Sequence, residues 1–153
     1  MLVEKRAMSK SVFPVQYCAG VAGHVTKGES YDEAAVRETE EETGIKNVDL
    51  NFVCKINFCP ETLYEFPHVY ETSYDGEIKF DPTETESIRW LSISEVFELA
   101  KKKDMVASVF VKCLEGYVKA KVFEKVARFL FFLSVLLLKA LLPGWLVSAL
   151  LFY

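Results

Sequence analysis

Paired cysteines are missing from this sequence. Cys18, Cys54, Cys59 and Cys113 show none of the CxxC spacings of a zinc site. No secretory signal is apparent either, so the thiols read as reduced, buried side chains of a catalytic domain facing the cytoplasm. Strong basic charge is also lacking. The net charge is −4, and the one basic cluster, residues 101–103, is short and followed by Asp104. This balance argues against a nucleic-acid polymer and for a small-molecule substrate. There is no internal repeat and no low-complexity run, and 153 residues leave room for one domain of ordinary size.

What is present divides unevenly. Residues 1–125 read as an α/β domain, whereas much of the apolar excess lies after Val126, in a tail over residues 126–153. Leu2 and Val3 open a short strand. Residues 17–25 suggest a second, with Cys18, Val21 and Val25 among glycines that permit close backbone approach. Ser30 followed by Glu33 is a capping box, so a helix is expected over Tyr31–Thr43, ended by Gly44 in the left-handed conformation. Residues 48–57 and 69–74 carry β-branched and aromatic residues, and Asp75-Gly76 signals a hairpin turn before a strand over residues 77–80. Residues 88–91 suggest a further strand. Ser92 with Glu95 makes a second capping box, and Val106, Phe110, Cys113, Leu114, Tyr117, Phe123 and Val126 mark a last amphipathic helix.

On the first helix, Glu38, Glu41 and Glu42 lie three and four residues apart, which sets their carboxylates on one face. Like charges this close repel, and a divalent cation would relieve them. Magnesium takes oxygen ligands, including one or two carboxylates, and completes its shell with water and phosphate oxygens. A glutamate-rich helix by itself is more often a solvated surface; its surroundings here say otherwise. Gly23, Glu29, Arg37, Glu38, Glu41, Glu42, Gly44 and Ile45 match the spacing of the Nudix box: a glycine, five residues, Glu, seven residues, then Arg-Glu and the paired glutamates.

The sequence resembles a Nudix hydrolase from about Leu2 to Tyr117. The resemblance implies an α/β/α sandwich with a mixed sheet, magnesium or manganese as cofactor, and hydrolysis of a nucleoside diphosphate linked to another moiety. Carried over by position, Glu38, Glu41 and Glu42 would hold the metal, with the carbonyl of Ala22 or Gly23 as a further ligand. Glu41 or Glu42 would also orient the attacking water. Glu29 and Arg37 would fix the loop and helix, and Gly44 would close the helix. A later acid, Glu84 or Glu86, is a candidate for a catalytic role, with Glu86 the choice. Many family members are dimers, so a homodimer is a further expectation.

Two departures from the family stand out. Thr39 replaces a usual bulky aliphatic residue, which implies looser packing of the helix. The family also usually has a full strand and more chain before Leu2, which implies a replaced strand or a late start. Residues 2–14, 18–30 and 66–90 look most like the branch related to isopentenyl diphosphate isomerase. Those isomerases rely on a cysteine directly before a Gly-His pair, whereas Ala22 precedes Gly23-His24 here. Hydrolysis is therefore favoured over isomerisation, and the intact acidic cluster favours it over a catalytically silent binding module. His24 and His68 read as structural, and Tyr17, Tyr64, Phe66 and Tyr70 read either as core or as stacking residues for a base.

Residues 129–153 are overwhelmingly apolar and, as a helix, long enough for a hydrocarbon core of about 30 Å. Lys119, Lys121, Lys125 and Arg128 precede them, on the side expected to face the cytoplasm. Against a membrane anchor, Lys139 would cost about 2.5–3.5 kcal/mol near mid-membrane, and Pro143-Gly144 should kink a helix. A transmembrane helix, a hairpin in one leaflet, a dimer interface and a read-through tail remain the four readings.

Overall fold

A computed structural model describes residues 1–141 of the chain. Leu2–Arg6 (β1) is the middle strand of a three-stranded antiparallel sheet, flanked by Tyr17–Ala19 (β2) and Thr85–Trp90 (β5). Glu4 faces Cys18 on one side and Ile88 on the other. A central strand is covered on both faces, so successive residues are buried in turn: Val3 is fully buried and Glu4 is 4% exposed. Asn51–Lys55 (β3) and His68–Glu71 (β4) form a separate antiparallel pair. One mixed sheet was expected. Among the described residues the named strands make two antiparallel ladders, and parallel pairing occurs at the isolated bridge between Tyr17 and Val106.

Tyr31–Thr43 (α1) has the ends its sequence predicts. The Ser30 hydroxyl accepts from the Glu33 N–H, and Glu33 accepts from the Ser30 N–H at 2.8 Å. Gly44 takes φ 71° and donates its N–H to the Glu40 carbonyl. Thr39 does not loosen this helix. It is buried, and its hydroxyl donates to the Ala35 carbonyl at 2.7 Å, while Thr43 donates to Thr39. Both hydroxyls are satisfied inside the helix, so burying them leaves no unpaired donor.

Two expected strand segments are not formed. Beyond Ala19, residues 20–25 are loop, because α1 side chains take the backbone groups a ladder would use: Glu42 accepts the Ala22 N–H, and Arg37 donates to the His24 carbonyl. Residues 77–80 form no strand, and the Lys79 N–H instead donates to the Thr43 carbonyl at the end of α1.

Ile93–Ala100 (α2) begins at the Ser92–Glu95 capping box and buries Val96 and Leu99. Ser108–Leu141 (α3) buries Phe110 and Leu114, whereas Phe123 and Val126 are exposed. The core periodicity of the last helix thus ends earlier than its sequence suggests. The chain divides into two compact units, Met1–Tyr117 and Val118–Tyr153. In the second, Phe129, Leu130, Phe131, Phe132 and Leu133 are all exposed. Among the described residues no helix is long and apolar enough to cross a membrane. The remainder of the expected anchor, residues 142–153, lies outside the described residues.

Candidate active site

Arg37 is the hub of the acidic face of α1. Its Nε and one terminal nitrogen donate to the two carboxylate oxygens of Glu29, at 2.8 and 3.0 Å. That same terminal nitrogen also donates to the His24 carbonyl. Its other terminal nitrogen donates to Glu38 Oε1 at 2.8 Å and Glu41 Oε2 at 2.9 Å. Hydrogen bonds from Arg37 and from the Thr26 N–H hold the Glu29 carboxyl down at about 2. A bidentate, charge-assisted pair of this kind sets the loop ahead of α1 against the helix.

Glu42 is in a different environment. Burial, joined by the charges of Glu4, Glu38 and Glu84, pushes its carboxyl up to about 7 against the hydrogen bond from the Ala22 N–H. Glu4 comes from the central strand, where the sequence gives little hint of a site. It is raised above the ordinary carboxylate range by burial, although the Thr85 hydroxyl donates to it at 2.6 Å and Arg6 lies 3.7 Å away. A glutamate following a buried valine in a short apolar strand was the available signal, but it marks an inside position only if the strand is central.

Gly23 explains how a loop can lie so close to these acids. A Cβ there would overlap the Glu38 carboxyl carbon, so only glycine lets that carboxylate rest on the backbone. His24 then ties a second loop to the first, its Nε2 lying 3.1 Å from Glu65 Oε1.

The structure thus brings Gly23, Glu29, Arg37, Glu38 and Glu41 into one bonded group and sets Glu42 beside it at Ala22. Gly44 stands at the end of the same helix. Glu86 is not part of the group: it is exposed and paired with Lys5 at 2.7 Å. Glu84 is bonded to Lys10, yet its charge acts on both Glu4 and Glu42. Among the described residues no three carboxylate, histidine or cysteine side chains converge as metal ligands would, because Glu38 and Glu41 turn to Arg37. The donor chemistry nevertheless suits a hard divalent cation: the charges of Glu4, Glu38 and Glu84 all act on the Glu42 carboxylate, and Gly23 admits Glu38 to the backbone.

A family model described as the NUDIX domain matches residues 1–112. The chain is 30% identical over 120 residues to an uncharacterized Nudix hydrolase of Nostoc sp., covering 75% of this chain and 69% of that protein. It is 36% identical over 98 residues to the asymmetrical bis(5'-nucleosyl)-tetraphosphatase of Rattus norvegicus, covering 57% and 63%. An isopentenyl-diphosphate Delta-isomerase of Cutibacterium acnes is 25% identical over 124 residues, covering 71% and 61%. A crystal structure from Deinococcus radiodurans superposes with a TM-score of 0.66 at 26% identity, covering 74% of this chain and 72% of that one. The chain therefore spans between 49% and 69% of the length of these first curated relatives.

Proposed function

The chain belongs to the Nudix hydrolase family, and on that premise we propose that it hydrolyses a diphosphate linkage in a nucleoside diphosphate derivative, with magnesium or manganese as cofactor. Dinucleoside polyphosphates enter the candidate set through the rat relative. The catalytic unit is assigned to residues 1–125, with residues 126–153 an appended tail.

The observation that carries this reading is the half-buried Glu42 on the acidic face of α1, which partial burial and the charges of Glu4, Glu38 and Glu84 push up to about 7, an arrangement that a bound cation would relieve. Glu38, Glu41 and Glu42 would hold the ion, with the carbonyl of Ala22 or Gly23. A bound divalent ion supplies charge neutralisation on the phosphate and lowers the pKa of a water. Glu41 or Glu42 orients that water. Glu29 and Arg37 hold the loop bearing Gly23 and His24 at the helix. Of the two later acids, Glu84 takes the supporting role by its charge on Glu42, and Glu86 is set aside.

Isomerisation is the weaker reading. Ala22 offers no thiol before Gly23-His24; Cys18, on β2, is buried, and burial with the Glu4 charge pushes its thiol up to about 11.

The test is release of phosphate and nucleoside monophosphate from a panel of nucleoside diphosphate derivatives and dinucleoside polyphosphates, with and without magnesium. Turnover that requires the metal, and that falls at least 100-fold in Glu41→Gln, supports the proposal. Calorimetry on Glu42→Gln reads magnesium affinity separately from activity. A folded protein that binds magnesium but turns over nothing in the panel would overturn the assignment.

A further inference from the structure

The loop joining β3 to β4 carries its large side chains outward. Phe58, Leu63, Tyr64 and Phe66 are all exposed, Tyr64 to 68%. Exposed rings on a slack loop would mean little, but this loop is rigidly tied. The buried Thr62 hydroxyl accepts from the Cys59 N–H and lies within 3.0 Å of the Cys59 and Glu65 carbonyls. The N–H groups of Leu63, Tyr64 and Glu65 donate back to Pro60, Cys59 and Thr62, and Ser108 on α3 donates to the Glu61 carbonyl. Leu63 and Tyr64 are both held at positive φ, 55° and 61°, a conformation that costs an L-residue on the order of 1 kcal/mol each. Order and strain are both spent on holding apolar rings in water.

The loop is also registered to the acidic group. Glu65 sits between Tyr64 and Phe66 and is bonded to His24, and His24 adjoins Gly23, against which Glu38 rests. Another set of rings, Tyr31, His68, Phe52 and Tyr70, is used differently. Tyr31 and His68 stack on each other at 3.7 Å, and Tyr70 is hydrogen-bonded to Asp32, so these rings pack α1 onto β4. Around the loop, by contrast, Phe58 and Phe66 meet only at a tilt of 55° with centroids 5.1 Å apart, and Tyr64 makes no ring contact among the described residues. Lys55 lies 4.9 Å from the Phe66 centroid, adding positive charge beside the rings.

We infer that Tyr64 and Phe66, supported by Phe58 and Lys55, form a stacking site for the nucleobase of the substrate, held in register with the carboxylates by the His24–Glu65 contact. Aromatic side chains have only two torsions to lose, so on a backbone already ordered they suit a planar base at small entropic cost, and a neighbouring cation suits its carbonyl oxygens or its phosphate. This assignment rests on the nucleotide-hydrolase reading above and adds which residues recognise the group that is not hydrolysed.

The experiment measures binding rather than turnover, on the full chain with magnesium, using AMP, GMP, CMP and UMP against ribose 5-phosphate as a base-free probe. At least one nucleotide should bind tenfold or more tighter than ribose 5-phosphate. Tyr64→Ala and Phe66→Ala should each weaken that nucleotide about 5- to 150-fold without altering ribose 5-phosphate binding, and Tyr64→Phe should restore it. Because the Tyr64 and Phe66 side chains are exposed, their removal should leave the fold intact, which circular dichroism checks. Equal binding of all five probes overturns the site even if hydrolysis is intact. Tighter binding of isopentenyl phosphate than of every nucleotide, lost in the same variants, overturns the base in favour of an isoprenoid. Base-dependent binding without any hydrolysis leaves the site standing and removes the hydrolase reading instead.

Discussion

Two residues carry unusual constraints. Gly23 has no side chain because the Glu38 carboxylate occupies that space. Gly23→Ala should therefore displace Glu38 and lower magnesium affinity at least tenfold by calorimetry, with a smaller effect on unfolding, since Gly23 lies in an exposed loop. Glu4 poses the opposite case, a carboxylate inside the sheet whose pKa is raised by burial. A folded state that holds its proton more tightly than the unfolded chain loses stability as pH rises from the ordinary carboxylate range through the raised value. Metal-free protein should accordingly melt at a higher temperature near pH 5 than at pH 8, and Glu42, pushed up to about 7, acts in the same direction. Glu4→Gln keeps an acceptor for Thr85 while removing the charge, so it should flatten this slope and raise the pH 8 melting temperature by a few degrees. A lower pH 8 melting temperature in Glu4→Gln would mean that the Arg6 interaction outweighs the burial penalty.

At the scale of elements, α1 is the part most readable from sequence, because its signals are local. A capping box, a three-and-four residue spacing and a terminal glycine act over a few residues and need no partner elsewhere in the chain. Ser30→Ala and Gly44→Ala should each cost about 1 kcal/mol in urea unfolding, the first by losing a cap and the second by forcing alanine into the left-handed region. The strands were less readable. Residues 20–25 have the composition of a strand, but the Ala22 N–H and the His24 carbonyl are taken by Glu42 and Arg37 from α1. Residues 77–80 follow a good turn signal, yet Lys79 pairs with the end of α1. Strand pairing depends on which backbone arrives alongside, and no local pattern states that.

For the whole molecule, the binding of a cation links site and stability. If Glu38, Glu41 and Glu42 hold magnesium only in the folded state, the ion at 100 times its dissociation constant should stabilise the protein by about 2.7 kcal/mol. Differential scanning fluorimetry should show a melting temperature rising with magnesium in the natural protein and not in Glu42→Gln. A rise of equal size in both would place the ion elsewhere. The surroundings of the two later acids also depend on this scale. Glu84 and Glu86 look alike in sequence, but Glu86 pairs outward with Lys5 while the charge of Glu84 reaches Glu42.

The sequence by itself determined the acidic helix, its two ends, the glycine before it and hence the family, since each of these is a short-range pattern of residue types at set spacings. Only the tertiary structure decided that β1 is central and therefore buries Glu4, that Arg37 gathers Glu29, Glu38, Glu41 and the His24 carbonyl, and that Glu65 brings an aromatic loop to His24. Those relations join residues far apart in the chain, and the packing that brings them together also sets the desolvation and charge that define their chemistry.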